Sequence, residues 1–168
     1  PVTTITLSIL AVDKASVVTG HEQEAVSSVL ENDKLSFIHN EQYAQGQLTS
    51  IQKGLSLLSD ECDVFMICLS DMPLLTSDDY NHLIHTYDNS SIPKPIVVPH
   101  NRERAGNPKL FHIDYKNAIL ALDTSKHQGA KIILQQNREK VIAHKTNSIS
   151  FFLDIDTPDV YKKLIDNS

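Results

Sequence analysis

Asp71 and the pair Asp154 and Asp156 are the residues whose type and spacing best suit chemistry in this sequence. The stretch Leu69-Ser70-Asp71-Met72-Pro73-Leu74-Leu75 puts a carboxylate directly after the apolar run Cys62 to Leu69 and before a proline turn. In open α/β sheets ligands bind beyond the carboxyl ends of the strands. A hard cation such as Mg²⁺ takes one or two protein carboxylates together with phosphate oxygens, and Asp71 could supply the first. The alternative is that Asp71 caps the next helix, a task for which Thr76, immediately before Ser77-Asp78-Asp79, is better spaced. In Leu153-Asp154-Ile155-Asp156-Thr157-Pro158-Asp159, an extended chain would turn both Asp154 and Asp156 to one face, toward one metal or substrate group. Against this stands a plainer role for Asp156, at the start of a helix capped by Thr157 and opened by Pro158.

Glycines supply the second set of signals. Gly46-Gln47-Leu48-Thr49-Ser50 opens a helix, and the free amides of a helix start suit an anion or the polar edge of a nucleotide. Gly54 sits inside that helix's apolar stripe, at a cost of about 1 kcal/mol relative to alanine, which a close backbone contact would explain. Gly106-Asn107-Pro108, following Arg102-Glu103-Arg104, either lines a pocket or forms a surface turn. His82 and His85 are the only metal-like pair; without a nearby Cys or third ligand they read as solvent-facing rather than as a zinc site. There is no Gly-x-Ser-x-Gly elbow, no Gly-x-Gly-x-x-Gly loop and no convincing Cys/His pairing, so hydrolase triads lack support.

The elements that must position these residues alternate between strand and helix periods. Ala15 to Thr19 reads as a strand, followed by Ala25, Val26, Val29 and Leu30 at helical spacing. Leu35 to His39 is a second strand, and Leu48, Ile51, Leu55 and Leu58 mark the next helix face. Cys62 to Leu69 is apolar almost throughout, as expected of a central strand covered on both faces. Thr76 with Asp79 forms a capping-box variant ahead of Tyr80, Leu83, Ile84 and Tyr87. Ile96 to Val98 is a further strand; Tyr115, Ala118, Ile119 and Leu122 mark a helix, and Gly129 precedes another from Ala130 to Gln136. Val141 to Ala143 and Phe151 to Ile155 are late strands, and a helix follows Thr157. The expected fold is three-layered α/β, Rossmann-like, with a mostly parallel central sheet.

Bulk properties narrow the class. The 168 residues fit one domain spanning 1–168, 40% hydrophobic and 21% charged, long enough to bury roughly two-thirds of the unfolded surface. No apolar stretch approaches the roughly 18 residues that would suggest a membrane span. The net charge of -6, without a basic run, argues against nucleic acid as partner. The two cysteines, Cys62 and Cys68, would lie about 20 Å apart on a strand, beyond disulfide reach, and read as reduced core residues of a cytoplasmic protein.

Taken in order, these segments resemble the MobA-like nucleotidyltransferase family, in particular its CTP:molybdopterin cytidylyltransferase branch. The resemblance rests on Val17-Val18-Thr19-Gly20-His21; on Asn40 followed by Gly46 and by Ser50-Ile51-Gln52-Lys53-Gly54-Leu55; on Ser70-Asp71-Met72-Pro73; on Gly106-Asn107-Pro108 with Leu110-Phe111; on Gly129-Ala130; and on Asp154 to Asp159. It implies Asp71 as ligand of Mg²⁺ or Mn²⁺, with Asp156 and Asp154 near the same metal or the transferring phosphate. It implies Gly46, Ser50 and Ser70 beside the nucleotide, and Asn107 and Pro108 beside the pterin substrate. The implied reaction is attack of the molybdopterin terminal phosphate on the α-phosphate of CTP, releasing pyrophosphate, with a molybdenum hydroxylase as recipient of the product. Such chemistry needs positioning and charge neutralisation more than a protein nucleophile. Two other readings stay open: a transferase of the same fold using GTP or a sugar phosphate, and a non-catalytic molybdenum-cofactor accessory for a xanthine dehydrogenase-type enzyme. The family begins with a strand and a Gly-rich loop that cradles the triphosphate, which this sequence does not show. The resemblance makes Pro1 to Leu10 the helix after that loop, and implies that the loop exists in the intact protein.

Overall fold

The computed structural model describes residues 14–29, 35–59, 61–126 and 129–166. The expected helix over Pro1 to Leu10, and Leu30 at the end of the first helical stripe, lie outside these residues. β1 (Ala15–Thr19) and β2 (Leu35–His39) pair in parallel, with Ala15 opposite Leu35 and Thr19 opposite His39. A second sheet has the order β3-β5-β4-β6, from β3 (Val64–Ile67), β4 (Ile96–His100), β5 (Lys109–His112) and β6 (Val141–Lys145). β4 and β6 are parallel, whereas β5 runs against both β3 and β4, so three of the four strands share one direction.

Helices cover both faces, and strand alternation decides which residue meets which layer. α1 (Gln23–Val29) joins β1 to β2, and α2 (Gln47–Ser56) follows β2. On one face Leu48 and Leu55 of α2 pack with Phe65, Ile96, Val98 and Phe111, together with Ile119 of α4 (Tyr115–Leu120) and Ile133 of α5 (Lys131–Gln136). On the other face Tyr80 and Leu83 of α3 (Ser77–Asp88) pack with Met72, Leu75, Val97, Leu110, Phe151 and Phe152. This is the expected three-layered arrangement. Gly54 is explained by packing of α2 on β1: a Cβ there would stand 3.1 Å from Val18 Cγ2. α3 begins at a complete capping box, in which Asp79 N–H donates to Thr76 Oγ1 (3.3 Å) and Thr76 N–H donates to Asp79 Oδ2 (2.9 Å). Thr76, not Asp71, is therefore the cap. The last helix, α6 (Pro158–Asp166), starts where expected, with Val160 N–H on Thr157 Oγ1 at 3.4 Å.

Three expectations are corrected. The strand read over Cys62 to Leu69 is confined to Val64–Ile67 and lies at an edge of its sheet, beside an antiparallel neighbour. Cys62 is half-buried, and Cys68, exposed as a residue, has a thiol whose pKa burial pushes up to about 12; both are free, and neither belongs to the two apolar clusters. Phe151 to Ile155 is not a strand: a single 3₁₀ turn, Ile149–Phe151, leads into irregular chain. β5 was not legible as a strand at all.

The packing of α3 on β6 has a pH consequence. His144 Nδ1 lies 2.9 Å from Thr86 Oγ1, and its ring stands 6.4 Å from that of His82 and 5.8 Å from Phe151. Burial first, then His82, hold its pKa below the ordinary histidine value, against a smaller opposing pull from Asp79. A histidine with a depressed folded pKa binds its proton more readily in the unfolded chain, so stability is lost as pH falls through about 6.5 toward the folded value. The urea midpoint is expected to drop over that range, and His144→Gln to flatten the drop.

Candidate metal and nucleotide site

The two acidic stretches meet. Ile155 N–H donates to the backbone carbonyl of Asp71 at 2.8 Å, so the peptide flanked by Asp154 and Asp156 is fastened to the turn that follows β3. The pKa of Asp71 is raised, by burial first and then by the negative charges of Asp154 and Asp156, with its own backbone N–H pulling the other way. Its Oδ1 is shielded from solvent and has no hydrogen-bond partner among the described residues. A carboxylate oxygen so enclosed carries a desolvation cost that a cation or a donor would remove. Asp154 and Asp156 are exposed. Among the described residues no three His, Cys, Asp or Glu side chains converge closely enough to enclose a metal by themselves. Mg²⁺ generally takes one or two protein carboxylates and completes its shell with water and substrate phosphates.

The Asp154–Asp156 segment is held from behind by the turn before β5. Gly106 N–H donates to Pro99 O (2.8 Å), Asn107 N–H to Phe151 O (3.0 Å), and the Arg104 guanidinium to Phe152 O, with its Cζ 5.9 Å from the Phe152 ring centre. A Cβ on Gly106 would run into Phe151 O and stand 2.9 Å from Phe152 Cε1, so only glycine allows this approach. The Asn107-Pro108 peptide is cis. Gly106-Asn107-Pro108 is thus a packing junction between β5 and the acidic segment, with Gly106 and Pro108 both buried.

The start of α2 is organised by Asn40, which is 4% exposed. Its Nδ2 donates to Thr49 Oγ1 (2.9 Å) and Ser50 Oγ (3.0 Å), and its Oδ1 accepts from Gln42 N–H (3.0 Å). Gly46 adopts φ 116, a conformation that favours glycine. Gly46 and Ser50 therefore belong to one locked turn, while Ser70 is exposed beside Asp71. An open hollow of about 500 Å³ lies at the ends of β1 and β2, lined by residues including Gly20, Glu22 and His39, where Gly20 packs on Tyr43 of the turn before α2. None of the residues singled out for metal or nucleotide lines it. His82 and His85 are exposed.

Arg104 and Lys109 escaped the sequence reading. Arg104 was seen only as part of a polar turn, and its contact with a segment 48 residues away leaves no local trace. Lys109 is a half-buried cation at the first position of β5, next to a proline, and an isolated lysine carries no pattern.

The layers of helices about sheets, with the acidic turn after β3 and the locked start of α2 at loop positions, define an α/β, Rossmann-like fold. A family model, the MobA-like NTP transferase domain, matches residues 3–141, and the chain belongs to that family. The matched region contains Gly46, Ser50, Asp71 and Asn107 but ends before Asp154 and Asp156. Its substrate class is a nucleoside triphosphate and its reaction class nucleotidyl transfer. No curated protein sequence matches the chain. Among solved structures, 4-diphosphocytidyl-2C-methyl-D-erythritol synthase from Anaerococcus prevotii is 13% identical, with 99% of this chain and 84% of that one covered and a TM-score of 0.73. The manganese complex of Rv0371c from Mycobacterium tuberculosis is 17% identical, covering 93% and 80%, at 0.67. Molybdopterin-guanine dinucleotide biosynthesis protein A from Archaeoglobus fulgidus is 17% identical, covering 91% and 79%, at 0.61. At these identities the likeness is one of fold. Among the described residues no helix is long and apolar enough to cross a membrane.

Proposed function

We propose that this chain transfers CMP from CTP to the terminal phosphate of molybdopterin, with release of pyrophosphate. The observation that supports the reading is the solvent-shielded, unpartnered Asp71 Oδ1, with the bond from Ile155 N–H to Asp71 O fastening the peptide between Asp154 and Asp156 to the Asp71 backbone. Asp71 is the principal ligand of a divalent ion, with Asp156 and Asp154 completing the acidic face toward the phosphates. The ion, Mg²⁺ or Mn²⁺, supplies charge neutralisation at the α-phosphate when bound. Gly46, Ser50 and Ser70 border the nucleotide, and the Asn40 network fixes the turn that carries the first two. Asn107 borders the acceptor, and Pro108, fully buried behind it, fixes its position rather than touching substrate. An acceptor phosphate oxygen attacks the α-phosphorus, and the bond to the β-phosphate oxygen breaks as pyrophosphate leaves. Orientation by these residues is the protein's part in such a displacement.

The choice of CTP rests on the resemblance of Gly46 to Ser50 to the cytidylyl rather than the guanylyl branch, and that of a pterin acceptor on the family resemblance at Gly106 to Pro108. The names of two similar structures, one a diphosphocytidyl synthase and one a molybdopterin dinucleotide protein, are in keeping with it. Pyrophosphate release is expected with CTP and molybdopterin, and at least about tenfold less with GTP, ATP or UTP, or with sugar phosphates as acceptor. Preference for GTP or for a sugar phosphate would replace the substrate assignment. Tight molybdopterin binding with no pyrophosphate release from any nucleotide would instead make the protein a carrier that delivers cofactor to a molybdenum hydroxylase.

A further inference from the structure

Lys109 opens β5, and because β5 runs antiparallel to β3 its first residue stands opposite Ile67, the last residue of β3. It therefore sits at the end of the sheet from which Asp71 follows. Phe111, two residues on and on the same face, has its ring 5.4 Å from that of Phe65 and joins the cluster under α2. Lys109 continues that face to the rim, beside Ile67. There the ammonium is half-buried and donates to Asn107 Oδ1. Among the described residues no carboxylate pairs with it, although the chain carries 21 acidic residues. An ammonium has three N–H donors and no acceptor, so a single neutral amide oxygen leaves most of its capacity, and all of its charge, unanswered. Burial alone pulls its pKa below the ordinary lysine value, with no negative neighbour to restore it. A cation kept half out of water without a counter-charge is one whose partner arrives from outside.

We propose that Lys109 is an anion contact at this rim of the sheet, donating to a phosphate oxygen of bound substrate, with Asn107 Oδ1 holding the ammonium in place beforehand. Its position between the Asp71 turn and the Asn107-Pro108 junction lets it serve either the triphosphate or the phosphate of the acceptor. This inference rests on the phosphate-transfer reading above but has its own readout. Lysine acylation of the wild-type protein at limiting reagent, followed by peptide mapping, gives the reactivity of Lys109 alone, with no turnover required. Pyrophosphate, CTP with Mg²⁺, and phenyl phosphate serve as separate protecting ligands. Protection by the first two assigns Lys109 to the nucleotide, protection by phenyl phosphate alone to the acceptor, and either supports the proposal. In parallel, Lys109→Met is expected to raise the Kd of the protecting ligand about tenfold or more, the worth of a charge-assisted hydrogen bond. Lys109→Arg should restore most of the loss, and both variants should keep the wild-type Tm within a few degrees. Lys109 labelled at one rate with and without every ligand, or Kd values unchanged in Lys109→Met, overturns the proposal. Absence of turnover with every nucleotide would sink the transferase reading while the labelling still decides this one.

Discussion

Asp71→Asn is expected to lower kcat by about 10³-fold, roughly 4 kcal/mol of lost transition-state stabilisation, while leaving the protein at least as stable as the wild type at neutral pH in the absence of divalent ions. The two halves of this expectation come from one arrangement. Asp71 is half-buried, its solvent-shielded Oδ1 lacks a partner among the described residues, and Asp154 and Asp156 add repulsion. The neutral amide has the same shape and none of the charge. A carboxylate kept where it costs stability is the signature of a group retained for what it binds. Magnesium or manganese should raise the Tm of the wild type by mass action and leave that of Asp71→Asn unmoved. Isothermal titration with CTP and Mg²⁺ should show metal-dependent heat for the wild type only. Equal CTP affinity for the two proteins, with or without metal, would remove Asp71 from the site.

The parts of the fold that were legible are those whose hydrogen bonds close locally. The Thr76 and Asp79 capping box is written within four residues, and the Leu48, Ile51 and Leu55 stripe within eight. Ile96 to Val98 announces a strand because all three side chains are buried, on alternating faces. The illegible parts are those whose partners are remote. β5 is four residues, Lys109–His112, with no alternation and a proline before it, and it becomes a strand only because β3 and β4 lie on either side. The run Phe151 to Ile155 misleads in the opposite sense. Its apolar side chains suit a strand, but its backbone groups are taken by Asn107, Arg104 and Asp71, one contact each, and no ladder can form. Strand propensity describes a half-buried surface rather than a pairing. The same remoteness governs the site. Asp71, Asp154 and Asp156 could be singled out from strand-end position and spacing, but the bond that unites them spans 84 residues of sequence and has no local signal.

That bond can be tested without touching a carboxylate. Gly106→Ala introduces a methyl group directly against Phe151 O and 2.9 Å from Phe152 Cε1, in a buried position where neither neighbour is the end of a flexible chain. Overpacking of this kind costs about 1–3 kcal/mol, and the bond from Asn107 N–H to Phe151 O, which the same movement breaks, adds about 1 kcal/mol. The sum, about 2–4 kcal/mol, corresponds to a fall in Tm of roughly 5–15 °C for a domain of this size. The strain falls on the 149–153 segment, whose Phe151 carbonyl and Phe152 ring meet the new methyl, because Gly106 is tied by its own N–H to Pro99 in the buried strand β4. Asp154 and Asp156 must follow the movement of that segment. A displacement of about 1 Å at such a site lowers turnover about 10²-fold, so kcat measured well below the lowered Tm should fall to that degree while CTP affinity, which we propose is set by the Gly46 to Ser50 turn, changes little. Loss of stability with kcat intact would mean that the acidic segment is not coupled to the reacting phosphates, and that Asp71 acts without Asp156.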